Sequence, residues 1–236
     1  MFLTAPLDGR LFFADQTAAA GTTLRAVTPP APFPDRAIKC AARPELAFQA
    51  HVGWPLRLFA VDVEDAEEFP RHPGLFSARV VHVREELGPS LCLGPAADHI
   101  TAFLDELDSL TADRVRFGAG LVDDEYLDAH PDARAEDAPV CKAHFAANDT
   151  AKELGRELIA HHIAQYASAQ AERKAGWLFD ITLSRGRNGD PYGKIKRALS
   201  EAAYVRACGE VVADALDADI LALLRADWLR FVTPRG

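Results

Sequence analysis

Five basic side chains fall close together late in this chain. The segment Ser184–Arg197 reads SRGRNGDPYGKIKR and carries Arg185, Arg187, Lys194, Lys196 and Arg197 against one acid, Asp190. Guanidinium groups present a planar fork of donors that matches a phosphate, and ammonium groups add point charge. Gly186, Gly189 and Gly193 let the backbone conform to a ligand. Asp190 followed by Pro191 has the signature of a helix start, which would aim free N–H groups at the same turn. Tyr192 adds a flat ring on which a base can stack. The expected ligand-binding residues are therefore Arg185, Arg187, Tyr192, Lys194, Lys196 and Arg197, and the expected partner is a protein or an anionic molecule such as nucleic acid. The segment lacks the glycine and lysine spacing of a phosphate-binding loop. The competing reading is a polar connection between helices whose bases pair with the acidic first half of the chain.

Other chemistry-bearing residues are scattered. Glu153, Glu157 and His161, with His162 adjacent, would share one helix face, and Cys141 and His144 lie shortly before them. The Glu-x-x-His spacing of di-iron bundles and the His-Glu-x-x-His spacing of zinc proteases are both absent. No metal and no cofactor are expected. Cys40 and Cys92 are candidate nucleophiles whose plainer role is that of small buried residues. Asp62, Glu64 and Asp65 close a candidate strand and could serve as paired carboxylates. No Gly-x-Ser-x-Gly sequence is present.

The elements that hold these residues divide by composition. Of 15 prolines, 13 precede Val140, and the formal charge of −9 is unevenly spread. Residues 1–139 hold 12 bases and 23 acids, and residues 140–236 hold 14 bases and 12 acids. An acidic chain disfavours bulk adhesion to nucleic acid or anionic membranes, so any anion contact must be local. No apolar run reaches the length of a membrane span, and the N-terminus lacks the pattern of a secretion signal. Cys40, Cys92, Cys141 and Cys208 are too widely spaced for a disulfide scaffold. These features give the expectation of a cytoplasmic protein with reduced thiols and no membrane contact.

The first part reads as short strands and turns. Candidate strands are Arg10–Phe13, Thr22–Val27, Leu56–Val63 and Ala78–Arg84. Thr28–Pro34 is an extended proline-rich loop, and Pro44 can open a short helix through His51. The acidic stretch Glu64–Gly74 reads as a hairpin-like loop. Asp98 caps a helix to about Leu110 that faces inward through Ile100, Phe103, Leu104 and Leu107. Asp123–Asp137 holds seven acids against one arginine and reads as a solvated linker rather than a calcium loop. Beyond it, Thr150 with Glu153 suggests a capping box that opens a helix to about Lys174, with Leu154, Leu158, His162, Ile163 and Tyr166 along its stripe. Trp177–Leu183 is an apolar run that fits a helix end or a strand. A helix from Pro191 would pack through Ile195, Leu199, Ala202, Val205, Val212 and Leu216. Asp217 caps a last helix with Ile220, Leu221, Leu224 and Trp228 inward.

Residues 36–111 resemble an uncharacterised domain of bacterial and phage proteins, through AIKCAARPELAFQAHVG, LRLFAVDV, SARVVHVREEL and DHITAFLDEL. The resemblance implies no activity. The helix-then-strand rhythm of Pro44–Val63 is also similar to ADP-ribosyl-transferring folds, without their Ser-Thr-Ser strand.

The expected fold class is α+β, a small mostly antiparallel sheet with short helices followed by an α-helical bundle. The expected division is an α+β domain at 1–122, an acidic linker at 123–139 and a helical domain at 140–236. The expected function is a non-catalytic binding or regulatory protein that contacts its partner through the basic interhelix loop. One alternative is a nucleotide- or NAD-dependent transferase with its site near Asp62 and Glu64. The other is a self-associating, homo-oligomeric component of a phage or bacterial assembly.

Overall fold

The structure, a computed structural model, describes residues 1–11, 13–27, 38–50, 53–111, 138–178 and 191–232. The fold is α+β and comprises two compact units, Met1–Ala97 and Asp98–Gly236. Thr28–Pro34, Asp123–Asp137 and Ser184–Asp190 lie outside the described residues, and so do Arg185 and Arg187.

In the first unit seven strands form one sheet: β1 (Phe2–Ala5), β2 (Thr23–Arg25), β3 (Ile38–Ala41), β4 (Arg57–Glu64), β5 (Glu67–Glu68), β6 (Leu75–Ala78) and β7 (Val80–Leu87). Their order is β2-β7-β4-β1-β3-β6-β5, and every pairing is antiparallel. Arg79 alone links β6 to β7, yet β4, β1 and β3 lie between them in the sheet. Four strand spacings of about 4.8 Å would separate them by about 19 Å in a flat sheet, whereas two residues of extended chain reach about 7 Å. The sheet must therefore curl until the end of β6 meets the start of β7. Its enclosed face carries Leu3, Ala5, Leu24, Ile38, Cys40, Phe59, Val61, Ala78, Val81 and Val83, all buried. On the other face, the Thr4 hydroxyl donates to the carbonyl of Ala47 at 3.2 Å, within the 3-10 helix Pro44–Ala50.

The sequence predicts a strand at Arg10–Phe13, and of that stretch the described residues 10, 11 and 13 are not in a strand. Gly9, at a φ of 71°, closes a turn onto Pro6, and Phe13 itself lies in a turn. A single bridge joins Ala14 to Ala26, flanked by backbone bonds from Asp15 N–H to Arg25 and from Val27 N–H to Phe13, both at 3.0 Å, while the Asp15 carboxylate takes the N–H of Arg25 at 2.8 Å. The stretch Glu64–Gly74 does turn back on itself, with β5 pairing to β6.

The second unit is helical: α1 (Ala97–Asp108), α2 (Pro139–Glu153), α3 (Glu157–Leu178), α4 (Pro191–Val211) and α5 (Ala218–Val232). Ile100, Phe103, Leu104 and Leu107 of α1 are buried, as their spacing predicts. The helix expected from Thr150 to Lys174 is two helices. Thr150 sits inside α2, where its hydroxyl donates to the carbonyl of Ala146 at 2.8 Å instead of capping anything. Gly155, at a φ of 68°, ends α2: its N–H donates to Lys152 and that of Arg156 to Ala151. This pair of bonds is the Schellman C-cap, which satisfies carbonyls that the helix leaves open. Leu154 and Leu158 consequently flank a turn and are exposed, while Ile159, Ala160, Ile163, Ala164, Ala167 and Ala171 form the buried stripe of α3. Of the apolar run from Trp177, the first two residues close α3, and the rest lies outside the described residues. Asp217 does cap α5, accepting the N–H of Asp219 at 2.8 Å.

Candidate functional site

The start of α4 carries the basic stretch, and two contacts fix it against α3. Ser168 and Ser200 share a hydrogen bond at 2.7 Å, and Lys196 Nζ lies 2.6 Å from Glu172 Oε1. One turn forward on α3 is one turn back on α4, so the helices run antiparallel. Alanines on the buried stripe of α3 let the two backbones approach closely. The first seven residues of α4, Pro191–Arg197, contain Lys194, Lys196 and Arg197 and no acid. Tyr192 and Lys194 hold backbone positions in its first turn. Lys196 is partly exposed above Glu172, and Arg197 is exposed. Lys196 thus pairs with a carboxylate of the neighbouring helix.

The other candidate residues are occupied or dispersed. Asp62 is ion-paired with Arg84, the residue left without a strand partner where the β4–β7 register shifts beside Ala60. Glu64 accepts from His82 Nε2 at 2.8 Å, and His82 Nδ1 lies 3.0 Å from the Thr23 hydroxyl. If Nε2 carries the proton toward Glu64, Nδ1 accepts from Thr23, giving one chain across three strands. Asp65 has a φ of 51° at the turn after β4. Cys40 and Cys92 are fully buried, and burial pushes both thiols up to about 12, so neither supplies a thiolate nucleophile at neutral pH.

Glu153 ends α2 and Glu157 opens α3, so the spacing that would align them on one helix face is broken at Gly155. Among the described residues, no three His, Cys, Asp or Glu side chains gather as metal ligands. His144 Nε2 is buried without a hydrogen-bond partner among the described residues. Its ring meets that of Tyr204 edge-on at 5.8 Å. Burial lowers the pKa of His144, and that of His162 falls through burial and the neighbouring His161.

A charged cluster in the helical unit lies beyond what the sequence predicts. Glu210 is 1% exposed and accepts from Arg206 Nε at 3.1 Å and from Arg225 at 2.8 and 2.6 Å. Arg206 lies over the rings of Phe103 and Trp228, at 4.6 and 5.7 Å. Its Nη1 is 2.8 Å from Glu106 Oε2, off the direction of a hydrogen bond. The hydrogen bond that Arg225 donates to Glu210 raises the pKa of Arg225. One sequence signal points here: Arg206 and Glu210 stand at i and i+4 on an otherwise apolar stripe. The cluster is closed by its own partners and works as a structural pin.

No protein-family model, curated protein or solved structure matches the chain. Among the described residues, no helix is long and apolar enough to cross a membrane.

Proposed function

We propose that this chain is a binding protein whose basic turn into α4 receives a phosphate-bearing partner, such as a single-stranded nucleic acid segment. The observation that carries the reading is the absence of any acid from Pro191–Arg197 beside three bases. A helix N-terminus bears partial positive charge that fades within its first turn, so a cation there, as Lys194 is, costs about 0.3–1 kcal/mol in the absence of an anion. An arriving phosphate relieves that repulsion and meets free N–H groups as well. Glu172 holds Lys196 in place from α3 and leaves it partly exposed. Arg185 and Arg187 precede the same helix in sequence and extend the basic stretch.

The test replaces Arg185, Arg187, Lys194, Lys196 and Arg197 with Ala and follows a labelled single-stranded oligonucleotide by anisotropy over a salt series. The expected result is weaker binding and a shallower dependence of log K on log salt, by about 0.7 for each phosphate no longer neutralised. Helicity should persist, because removing cations from a helix start does not weaken it. Unchanged affinity with an unchanged salt slope overturns the reading.

A further inference from the structure

The solvent face of α5 carries a pattern that anion binding does not use. Between Asp219 and Arg230 the exposed positions are Ala222, Leu223, Ala226 and Leu229, and all four are apolar. Leu223 and Leu229 are among the exposed large apolar residues of the chain. A surface helix ordinarily turns charged and polar residues to water along such a face. The inward face of the same helix is already filled, with Leu224, Trp228, Phe231 and Val232 buried. The outer stripe is therefore a second apolar surface, bounded by an acid at one end and a base at the other.

We propose that this stripe pairs, antiparallel, with the same stripe of a second copy of the chain, about a two-fold axis passing between positions 224 and 225. A two-fold contact must be self-complementary, so each residue meets the one at the mirrored position. That single axis satisfies charge and size together. Asp219 comes opposite Arg230 of the second copy, and Arg230 comes opposite its Asp219. Leu223 comes opposite Ala226, so a large side chain meets a small one twice over. Leu229 comes opposite Ile220, which is half-buried at the margin of the face. Arg230 lies 3.9 Å from Asp227 and is 52% exposed, so its guanidinium can reach across the axis from where it stands. A parallel pairing would set Asp219 against Asp219 and Arg230 against Arg230, and like charges there oppose association.

Sedimentation velocity on the full chain without ligand, over a wide concentration range, tests this. A concentration-dependent dimer is expected, and a monomer throughout overturns the proposal. Ala226→Glu puts two like charges at the centre and should weaken the dimer by about tenfold or more, with far-UV circular dichroism unchanged because the position is exposed. A dimer indifferent to Ala226→Glu places the interface elsewhere and overturns the proposal too. Charge reversal provides the second arm. Asp219→Arg should weaken association, and the double variant Asp219→Arg with Arg230→Asp should restore it. Failure of the double variant to recover association overturns the antiparallel register.

Discussion

Trp228 Nε1 donates to Glu106 Oε1 at 3.1 Å, and the two residues stand 122 positions apart. The bond ties α5 to α1, and the rings of Phe103 and Trp228 meet edge-on beside it at 5.3 Å. Arg206 and Glu210 complete the same pin from α4. The chain beyond the first unit is thus held by a charged knot as well as by its alanine stripe.

Removing the buried acid should expose how much that knot matters. Glu210→Ala removes the carboxylate that the Arg206 and Arg225 guanidiniums share and leaves only Glu106 beside Arg206, at a site where Glu210 is 1% exposed. Breaking a buried ion pair from one side costs about 3–5 kcal/mol. Urea denaturation should show a loss of that order. A loss no larger than that of an exposed pair would mean that water reaches the site.

Gly209 sets the distance between α4 and α5. A Cβ at that position would lie 2.8 Å from Leu224 Cδ1 and 3.3 Å from Leu224 Cβ. Gly209→Ala gains about 1 kcal/mol of helix propensity, while overpacking costs about 1–3 kcal/mol. The net should be destabilising. In a double-mutant cycle with Leu224→Ala the penalty of Gly209→Ala should vanish, and equal penalties in both backgrounds would refute the contact.

Acid should loosen the helical unit before its carboxylates titrate. His144 and His162 both have pKa values below the ordinary 6.5, with burial as the main cause. Below pH 6.5 the unfolded chain takes up these protons and the folded chain resists them. Stability therefore rises with pH through that window and is lost as pH falls below 6.5. Denaturation midpoints at pH 7.5 and 5.5 should differ, and His144→Phe should narrow the difference. Asp214 acts at lower pH with the same sign. Its hydrogen bond from Arg156 lowers its pKa from the ordinary 3.8, so its contribution is kept above that value and lost as pH falls through the folded value.

Thiol chemistry should separate the four cysteines. Cys40, Cys92 and Cys208 are buried with thiols pushed up to about 12, whereas Cys141 is half-buried on α2. A disulfide exchange reagent at pH 8 should titrate one thiol quickly in the folded protein and the rest only on unfolding. Cys141→Ser should abolish the fast phase. A fast phase that survives would place a reactive thiol in what is here a packed core.

Much of the fold can be read from residue order, and the failures have physical causes. The strands at Leu56–Val63 and Ala78–Arg84 show their apolar, β-prone character openly and appear as β4 and β7. The short strands β1 and β3 leave no such trace, because each spans only four residues and gains its meaning from its neighbours. Thr150 and Glu153 match a capping pattern, yet Gly155 is the stronger signal, since a left-handed residue ends a helix more surely than a threonine begins one. The ion pairs of Asp62 and Glu64 depend on which strands are neighbours, and residue order does not state that. The knot around Glu210 gathers residues from α1, α4 and α5, and only the α4 pair is close enough in sequence to be read there.

The single-residue passage at Arg79 also governs the order of assembly. Among the described residues, strand β2 pairs within the sheet to β7 alone, which is the last of these strands to be made. A growing chain stopped short of Val80 would hold Thr23–Arg25 without its partner strand in the sheet, and β4 with one flank bare. Bare flanks recruit foreign strands. Synthesis of residues 80–87 is thus the moment at which β2 and β4 gain their shared neighbour and a nascent, sticky sheet is completed.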